Sequence, residues 1–319
     1  MHHTWIFWVL FNVFVLAMLL LDLGIFHRKA HEVHFKEAMG WTIIWIVLAG
    51  LFALLIFGFG HYMVAKPRAN SQLALEFITG YVMEESLSVD NLFIFLLIFR
   101  YFKVPRASQH KVLFWGIIGA LITRGIFIVA GVSLVNRVHW VMYVFGAWVL
   151  YSGFALLFEK QRQIEPEKNP LLKLLRKIVP ITHEYEGNKF FVMRAARRCA
   201  TPLLMVLLVV ETTDIVFAAD SIPAILSITR DSFVVYTSNV FAVLGLRSLY
   251  FALAGMMDLF HFLHYGVSAI LIFTGAKMLL GGIYEMPIGL ALGVILGIIL
   301  VSIVASLLWP ANERVAQKK

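Results

Sequence analysis

Apolar runs of about twenty residues, separated by short polar and basic segments, recur along nearly the whole chain. They cover residues 5–27, 40–60, 73–99, 112–135, 139–158, 201–228, 239–257, 264–283 and 287–309. Each reaches or approaches the ~20 residues a helix needs to cross the hydrocarbon of a bilayer. The pattern predicts an all-α, polytopic membrane protein of about nine transmembrane helices, a single integral-membrane domain over residues 1–319. The first run has an alternative as an interfacial helix. Only residues 159–199 look soluble. Within them Pro170–Pro180 places leucines on one face and Lys173, Arg176 and Lys177 on another. That predicts an amphipathic helix on the inner membrane surface, either a plain tether or a regulatory site.

Two runs break the apolar rule. Residues 203–227 carry Glu211, Asp214 and Asp220, and residues 73–99 carry Glu76, Glu84, Glu85, Asp90 and Asn91. A carboxylate at the centre of a lipid-exposed helix costs about 2.5–3.5 kcal/mol, so Glu84, Asp90, Glu211, Asp214 and Asp220 together would cost about 12–18 kcal/mol. That rivals the ~5–15 kcal/mol net stability of a typical domain. These acids must face one another, water or a cation.

The polar positions also repeat at an offset of about 122–124 residues. Asp90–Phe93 matches Asp214–Phe217, Arg124–Phe127 matches Arg247–Phe251, Trp140–Tyr143 matches Phe262–Tyr265, and Ser152-Gly153 matches Thr274-Gly275. Residues 73–158 thus echo residues 200–283, with the basic loop 159–199 between them. Three spans separate the copies, so the copies run in opposite directions across the bilayer. Inverted repeats with a site at their midplane interface are an architecture of secondary transporters. One ambiguity stands: Glu84 and Asp90 are six apart, as are Asp214 and Asp220, so Asp90 corresponds to either Asp214 or Asp220.

Composition agrees with a bilayer as solvent: 61% of residues are hydrophobic and 14% charged. The formal charge of +8 lies in alternate loops rather than in one patch, which argues for membrane orientation and against nucleic acid. Arg28, Lys29 and Lys36, then Arg100, Lys103, Arg106 and Lys111, then residues 160–198, then Arg314, Lys318 and Lys319 fall on one side. By the positive-inside rule the N-terminus is outside and the C-terminus cytoplasmic. A single cysteine, Cys199, excludes a disulfide framework, a thiolate metal cluster and a CxxC relay.

Glu211 and Asp214, three apart, share a helix face and can reach one ion. Glu84 and Asp90 diverge by about 120° on an ideal helix and converge only if the span bends, for which Gly80 and the Ser86–Asn91 cluster offer places. Pro223 does the same for the sixth span. Oxygens of Asn91, Ser88, Thr212 and Ser221 complete an oxygen-rich shell that suits hard divalent ions such as Mn, Mg or Ca. The plainer reading is an assembly lock, with the acids ion-paired to Arg124 and Arg247. Two arginines cannot neutralise five carboxylates, so the surplus calls for protons or a metal, and the arginines serve as counter-charges when the site is empty. Glu76 and Asp22, near span ends, are structural, and Glu85 is open between site and partly wetted face. Met83 and Met205 fill gaps or add a soft ligand, Asn239 makes an interhelical hydrogen bond or serves as a ligand, and His61, His110, His139, His261 and His264 sit near interfaces, with pH sensing as the alternative. No nucleotide-binding glycine pattern or nucleophile elbow is visible, so the reading is not an enzyme.

Leu21–Val33, Met83–Phe95, Val210–Ile225 and Ser238–Phe251 resemble the TerC family of integral membrane proteins, in particular its Alx-like members. The resemblance implies a protein of the bacterial inner membrane that exports Mn(II), tied to pH response and tellurite resistance. The family acids fall on Glu84, Asp90, Glu211, Asp214 and Asp220, with Glu85 at a variable position. The expected metal shell is therefore Glu84, Asp90, Asn91, Glu211, Asp214 and Asp220, with Arg124 and Arg247 as counter-charges or gates and Mn2+ as cargo rather than a fixed cofactor. The alternative is a non-transporting membrane scaffold that aids metallation or insertion of other proteins.

Overall fold

The computed structural model describes residues 4–26, 35–64, 68–138, 140–158, 169–182, 184–194, 197–254, 262–284 and 286–308. Among these, nine long helices, one short helix and one β-hairpin follow in the order α1 (Thr4–Phe26), α2 (Phe35–Met63), α3 (Asn70–Tyr101), α4 (Arg106–Arg137), α5 (Val141–Phe158), α6 (Pro170–Ile178), β1 (Phe191–Arg194), β2 (Arg197–Ala200), α7 (Pro202–Leu226), α8 (Ser232–Ala254), α9 (Leu263–Leu280) and α10 (Ile288–Leu308). Every apolar run has its helix, so the chain is an all-α polytopic membrane protein. Eight of the long helices are long and apolar enough to cross a membrane. The ninth, α3, is 32 residues long and carries four acids, of which Glu76, Glu84 and Asp90 are buried. The positions Asp22, Arg28, Lys29, His139, 160–168, His261, Arg314, Lys318 and Lys319 invoked above lie outside the described residues or, for Asp22, outside the described side chains.

Packing places α8 at the centre and α1, α2 and α10 at the rim, where their leucines and phenylalanines stay exposed, as a lipid-facing surface requires. α1 docks lengthwise against α8: Trp8 and Phe11 meet Phe233 and Tyr236, and the Tyr236 hydroxyl donates to Asn12 Oδ1 at 2.8 Å. It is long and apolar enough to cross a membrane.

The six helices α3–α5 and α7–α9 pair in a regular way. α3 packs on α8 as α4 packs on α7, α5 packs on α7 as α9 packs on α3, and α5 crosses α9. Exchanging one triplet for the other leaves this set of pairings unchanged. The α5–α9 crossing shows the relation residue by residue. A Cβ on Gly275 would lie 2.8 Å from the Gly146 carbonyl oxygen, and Ser268 Oγ donates to the Gly153 carbonyl at 2.6 Å. Rising numbers on α5 meet falling numbers on α9, so the two helices are antiparallel. The 122-residue offset carries Gly146 to Ser268 and Gly153 to Gly275, turning one contact into the other.

Two local expectations are corrected. α3 and α7 are continuous helices, with no unwinding at Gly80 or Pro223. Gly80 serves close packing instead, since a Cβ there would meet Ser238 Oγ at 2.9 Å. Pro223 leaves the Ala219 carbonyl without its usual N–H donor but does not end the helix, which runs on to Leu226. The amphipathic helix exists as α6, capped by Asn169, whose Oδ1 accepts from Leu171 N and Leu172 N. It packs on α7, with Leu172 only 1% exposed. The β1–β2 hairpin, which periodicity did not reveal, follows it. The adjoining turn docks on the α3–α4 end: Lys111 Nζ donates to the Asn188 carbonyl at 2.6 Å and the Tyr185 hydroxyl to the Phe102 carbonyl at 2.7 Å. Burial pushes the Tyr185 phenol up to about 12, which keeps it a donor at physiological pH.

One end of the bundle is fastened by Glu76, whose carboxylate accepts from Arg68 at 2.6 Å, Gln72 at 3.1 Å and the Thr229 hydroxyl at 2.5 Å. Glu76 is therefore structural, as its position near the span end suggested. It ties the start of α3 to the turn after α7, so α3 and α7 are antiparallel. Thr229→Val removes a buried hydrogen bond to a charged group. It is expected to lower the stability of the detergent-solubilised protein by about 1.5–3 kcal/mol, read from its thermal unfolding.

Candidate functional site

Glu84 of α3, Arg124 of α4 and Asp214 of α7 meet inside the bundle. All three are buried, at 0%, 1% and 3% exposure. The Arg124 guanidinium donates through Nη2 to Asp214 Oδ1 at 2.9 Å, through Nε to Asp214 Oδ2 at 3.2 Å, and through Nη1 to Glu84 Oε1. The planar fork of arginine suits this arrangement, with a bidentate grip on one carboxylate and a third donor for another. Asp214 lies twelve residues from Pro202 and twelve from Leu226, about 18 Å of helix on either side. The centre is at the middle of the span.

Two carboxylates on one guanidinium leave a surplus negative charge, and Glu84 Oε2 is buried with no hydrogen-bond partner. Glu211, one turn before Asp214, also faces α4. Its carboxylate occupies the space that a Cβ on Gly119 would need. A cavity of about 10 Å³ lies beside Asp214, lined also by Arg247, Val210, Gly116 and Phe95. That is room for about one water.

The other predicted residues stand apart from this centre. Asp90 and Asn91 are buried on α3, and Asp90 Oδ1 lies 3.5 Å from His264 Nδ1 at the start of α9. Asp220 accepts from Trp148 Nε1 at 2.8 Å and from Ser152 Oγ at 2.7 Å, both on α5. Glu85 turns to another face, where it accepts from the Tyr81 hydroxyl at 2.9 Å and approaches Gly245. Asn239 is buried with no partner for Nδ2, so the hydrogen bond expected of that group is not formed. Among the described residues no three His, Cys, Asp or Glu side chains gather closely enough to hold a metal ion. The six expected ligands therefore do not form one shell in this structure. Glu84 and Asp90 point apart because α3 stays helical.

The arrangement favours one of the two correspondences left open by the spacing, at an offset of 130 between α3 and α7. Asp90 faces α9 and Asp220 faces α5, and those two helices exchange with the triplets. Glu84 and Asp214 share the middle. Glu84–Asp90 thus corresponds to Asp214–Asp220, and because α3 and α7 are antiparallel, Asp90 and Asp220 flank the centre toward opposite faces of the bundle. Trp148, Ser152, His264 and Gly119 were not singled out as site residues. Ser152 lay inside the repeat and His264 among the interfacial histidines, so only proximity was missing.

Residues 69–314 match the model of the integral membrane protein TerC family. The chain belongs to the TerC family. It is 48% identical over 301 residues to an "Uncharacterized membrane protein STKORF319" of Myxococcus xanthus, covering 94% of this chain and 92% of that one. It is 41% identical over 312 residues to the "Putative membrane-bound redox modulator Alx" of Salmonella typhi, covering 98% and 96%. To the protein of the same name in Escherichia coli K12 it is 40% identical over 291 residues, covering 91% and 90%. No solved structure matches. The TerC match takes in every helix of both triplets, and with them all the acids described above.

Proposed function

We propose that this TerC protein is a secondary-type transporter that exports divalent metal cations, with Mn(II) as cargo, by alternating access of its two helix triplets. The observation that carries the reading is the Glu84–Arg124–Asp214 centre: acids from both triplets converge on one guanidinium at mid-span, with negative charge left over. A buried unpaired charge is costly, so the surplus favours a positive guest, a metal ion or protons. Asp90 and Asp220, set toward opposite faces, extend the acidic positions on either side of the centre. The donors are oxygens, which suits a hard divalent cation. In this reading Arg124 holds the carboxylates when the cation is absent. The protein sits in the bacterial inner membrane with its N-terminus outside and its C-terminus cytoplasmic. The relatives' name invokes redox modulation, but one cysteine in the whole chain leaves no dithiol to cycle within it.

The saturated Arg124 favours a second reading, a membrane scaffold in which the ion pairs only lock the helices. Flux separates the two. Mn(II) uptake into inside-out vesicles is expected to fall to background in Asp214→Asn and Asp220→Asn proteins that retain their thermal stability. Uptake that is unchanged in both overturns the transport reading and leaves the scaffold.

A further inference from the structure

The β1–β2 hairpin stands at the foot of a long apolar helix. Only Thr201 separates its last residue, Ala200, from Pro202 of α7, which is apolar from its first turn. Each strand has four residues, about 13 Å of extended chain. A headgroup layer and one Debye length of about 8 Å beyond it cover that distance, so every side chain of the hairpin lies within range of the lipid surface. Its base is tied to the end of α6: Ala200 N–H donates to the Pro180 carbonyl and Thr182 N–H to the Ala200 carbonyl, both at 2.9 Å.

The register sorts the side chains onto two faces. Val192 pairs with Cys199 and both are buried, so that face looks to the protein. On the other face Met193 pairs with Arg198. There Met193 is 69% and Phe191 38% exposed, and the Arg198 guanidinium lies over the Phe191 ring at 4.2 Å. Arg197, at the tip, is exposed as well. Arg194 is held by Glu186, with Nη2 to Oε1 at 2.6 Å. α6 repeats the mixture, with Leu174 and Ile178 at 52% and 68% exposure beside exposed Lys173 and Lys177.

Water disfavours large apolar side chains left uncovered, and acyl chains disfavour the cations between them. The boundary between acyl chains and anionic headgroups satisfies both. An acidic protein surface would answer the arginines, but a hairpin one residue from an apolar helix meets lipid first. We propose that the hairpin, with α6 beside it, docks on anionic phospholipid: Phe191 and Met193 enter the acyl boundary while Arg197 and Arg198 hold phosphate headgroups. This docking is independent of the transport reading, and neither falls with the other.

The test uses the full chain with Cys199→Ser and an environment-sensitive fluorophore attached through Met193→Cys, in nanodiscs of phosphatidylcholine with or without phosphatidylglycerol. With phosphatidylglycerol the emission is expected to shift to the blue, and a lipid-borne quencher to reach the probe while aqueous acrylamide does not. In phosphatidylcholine alone, or at 1 M salt, where the Debye length falls to about 3 Å, the probe is expected to return to water. Arg197→Gln with Arg198→Gln should lower the docked-to-undocked ratio about thirty-fold, two charges at about 1 kcal/mol each. Arg197→Lys with Arg198→Lys should keep it, since headgroup attraction needs the charge and not the fork. A probe as open to acrylamide with phosphatidylglycerol as without it overturns the proposal and leaves the arginines to a protein partner. A blue shift indifferent to lipid charge and to both glutamine changes also overturns it, because that marks burial within the protein.

Discussion

Replacing Arg124 by methionine is expected to remove about 3–5 kcal/mol of stability, because it leaves two carboxylates buried together with no counter-charge. Glu84 and Asp214 are almost fully enclosed, so water cannot take over the role of the guanidinium. The loss will show as a large drop in the thermal midpoint of the solubilised protein, or as failure to accumulate in the membrane. Arg124→Lys should fall between, since a single ammonium cannot reproduce the three hydrogen bonds of the fork. The informative companion is the triple change Arg124→Met, Glu84→Met, Asp214→Leu. Replacing a whole buried ionic cluster by apolar side chains is often neutral or stabilising. The triple variant is therefore expected to recover most of the lost stability while carrying no Mn(II) flux. Recovery of stability together with function would assign the centre to assembly alone. An Arg124→Met protein as stable as the native one would show that the three charges are not coupled as described.

What could be read from the chain before its structure follows from the cost of polar groups in hydrocarbon. A run of twenty apolar residues has few stable alternatives to a helix, so the nine spans were legible to within a few residues, and α8 differed most because its polar start at Ser232 continues the helix. The burial of Glu84, Asp90 and Asp214 was legible for the same reason. Their partners were not. Periodicity says which face of a helix a residue occupies, but not which helix covers that face, so Asp220 on Trp148 and Ser152, and Asp90 near His264, came only with the packing. Pro223 was legible as a residue that leaves a carbonyl unpaired, but not that α7 would continue through it to Leu226. The amphipathic period of Pro170–Pro180 identified α6 but not that Leu172 would be covered by protein: a leucine face fits a lipid interface and a neighbouring helix alike.

The pairing of the triplets brings this reasoning to the α5–α9 crossing, where the second large effect is expected. Lipid offers helices no hydrophobic reason to associate, so close backbone approach through small residues becomes the main source of contact. Gly275→Ala adds one methyl at a point where its Cβ would lie 2.5 Å from Leu150 N, 2.7 Å from Leu150 Cα and 2.8 Å from the Gly146 carbonyl oxygen. All three are backbone atoms, and no rotamer change relieves them. Overpacking ordinarily costs about 1–3 kcal/mol, and a backbone clash belongs at or above the upper end. Gly153→Ala is the counterpart under the 122-residue offset, with its Cβ 2.8 Å from Ile272 N, and should be damaging in the same range. Gly293→Ala and Gly297→Ala on α10 meet nothing within 4 Å. There the better helix propensity of alanine should show, with a gain of up to about 1 kcal/mol. Thermal unfolding of the four variants in one detergent checks the set. If Gly275→Ala and Gly153→Ala melt with the α10 pair, the two helices do not cross on these glycines, and the exchange of triplets built on that crossing loses its residue-level support.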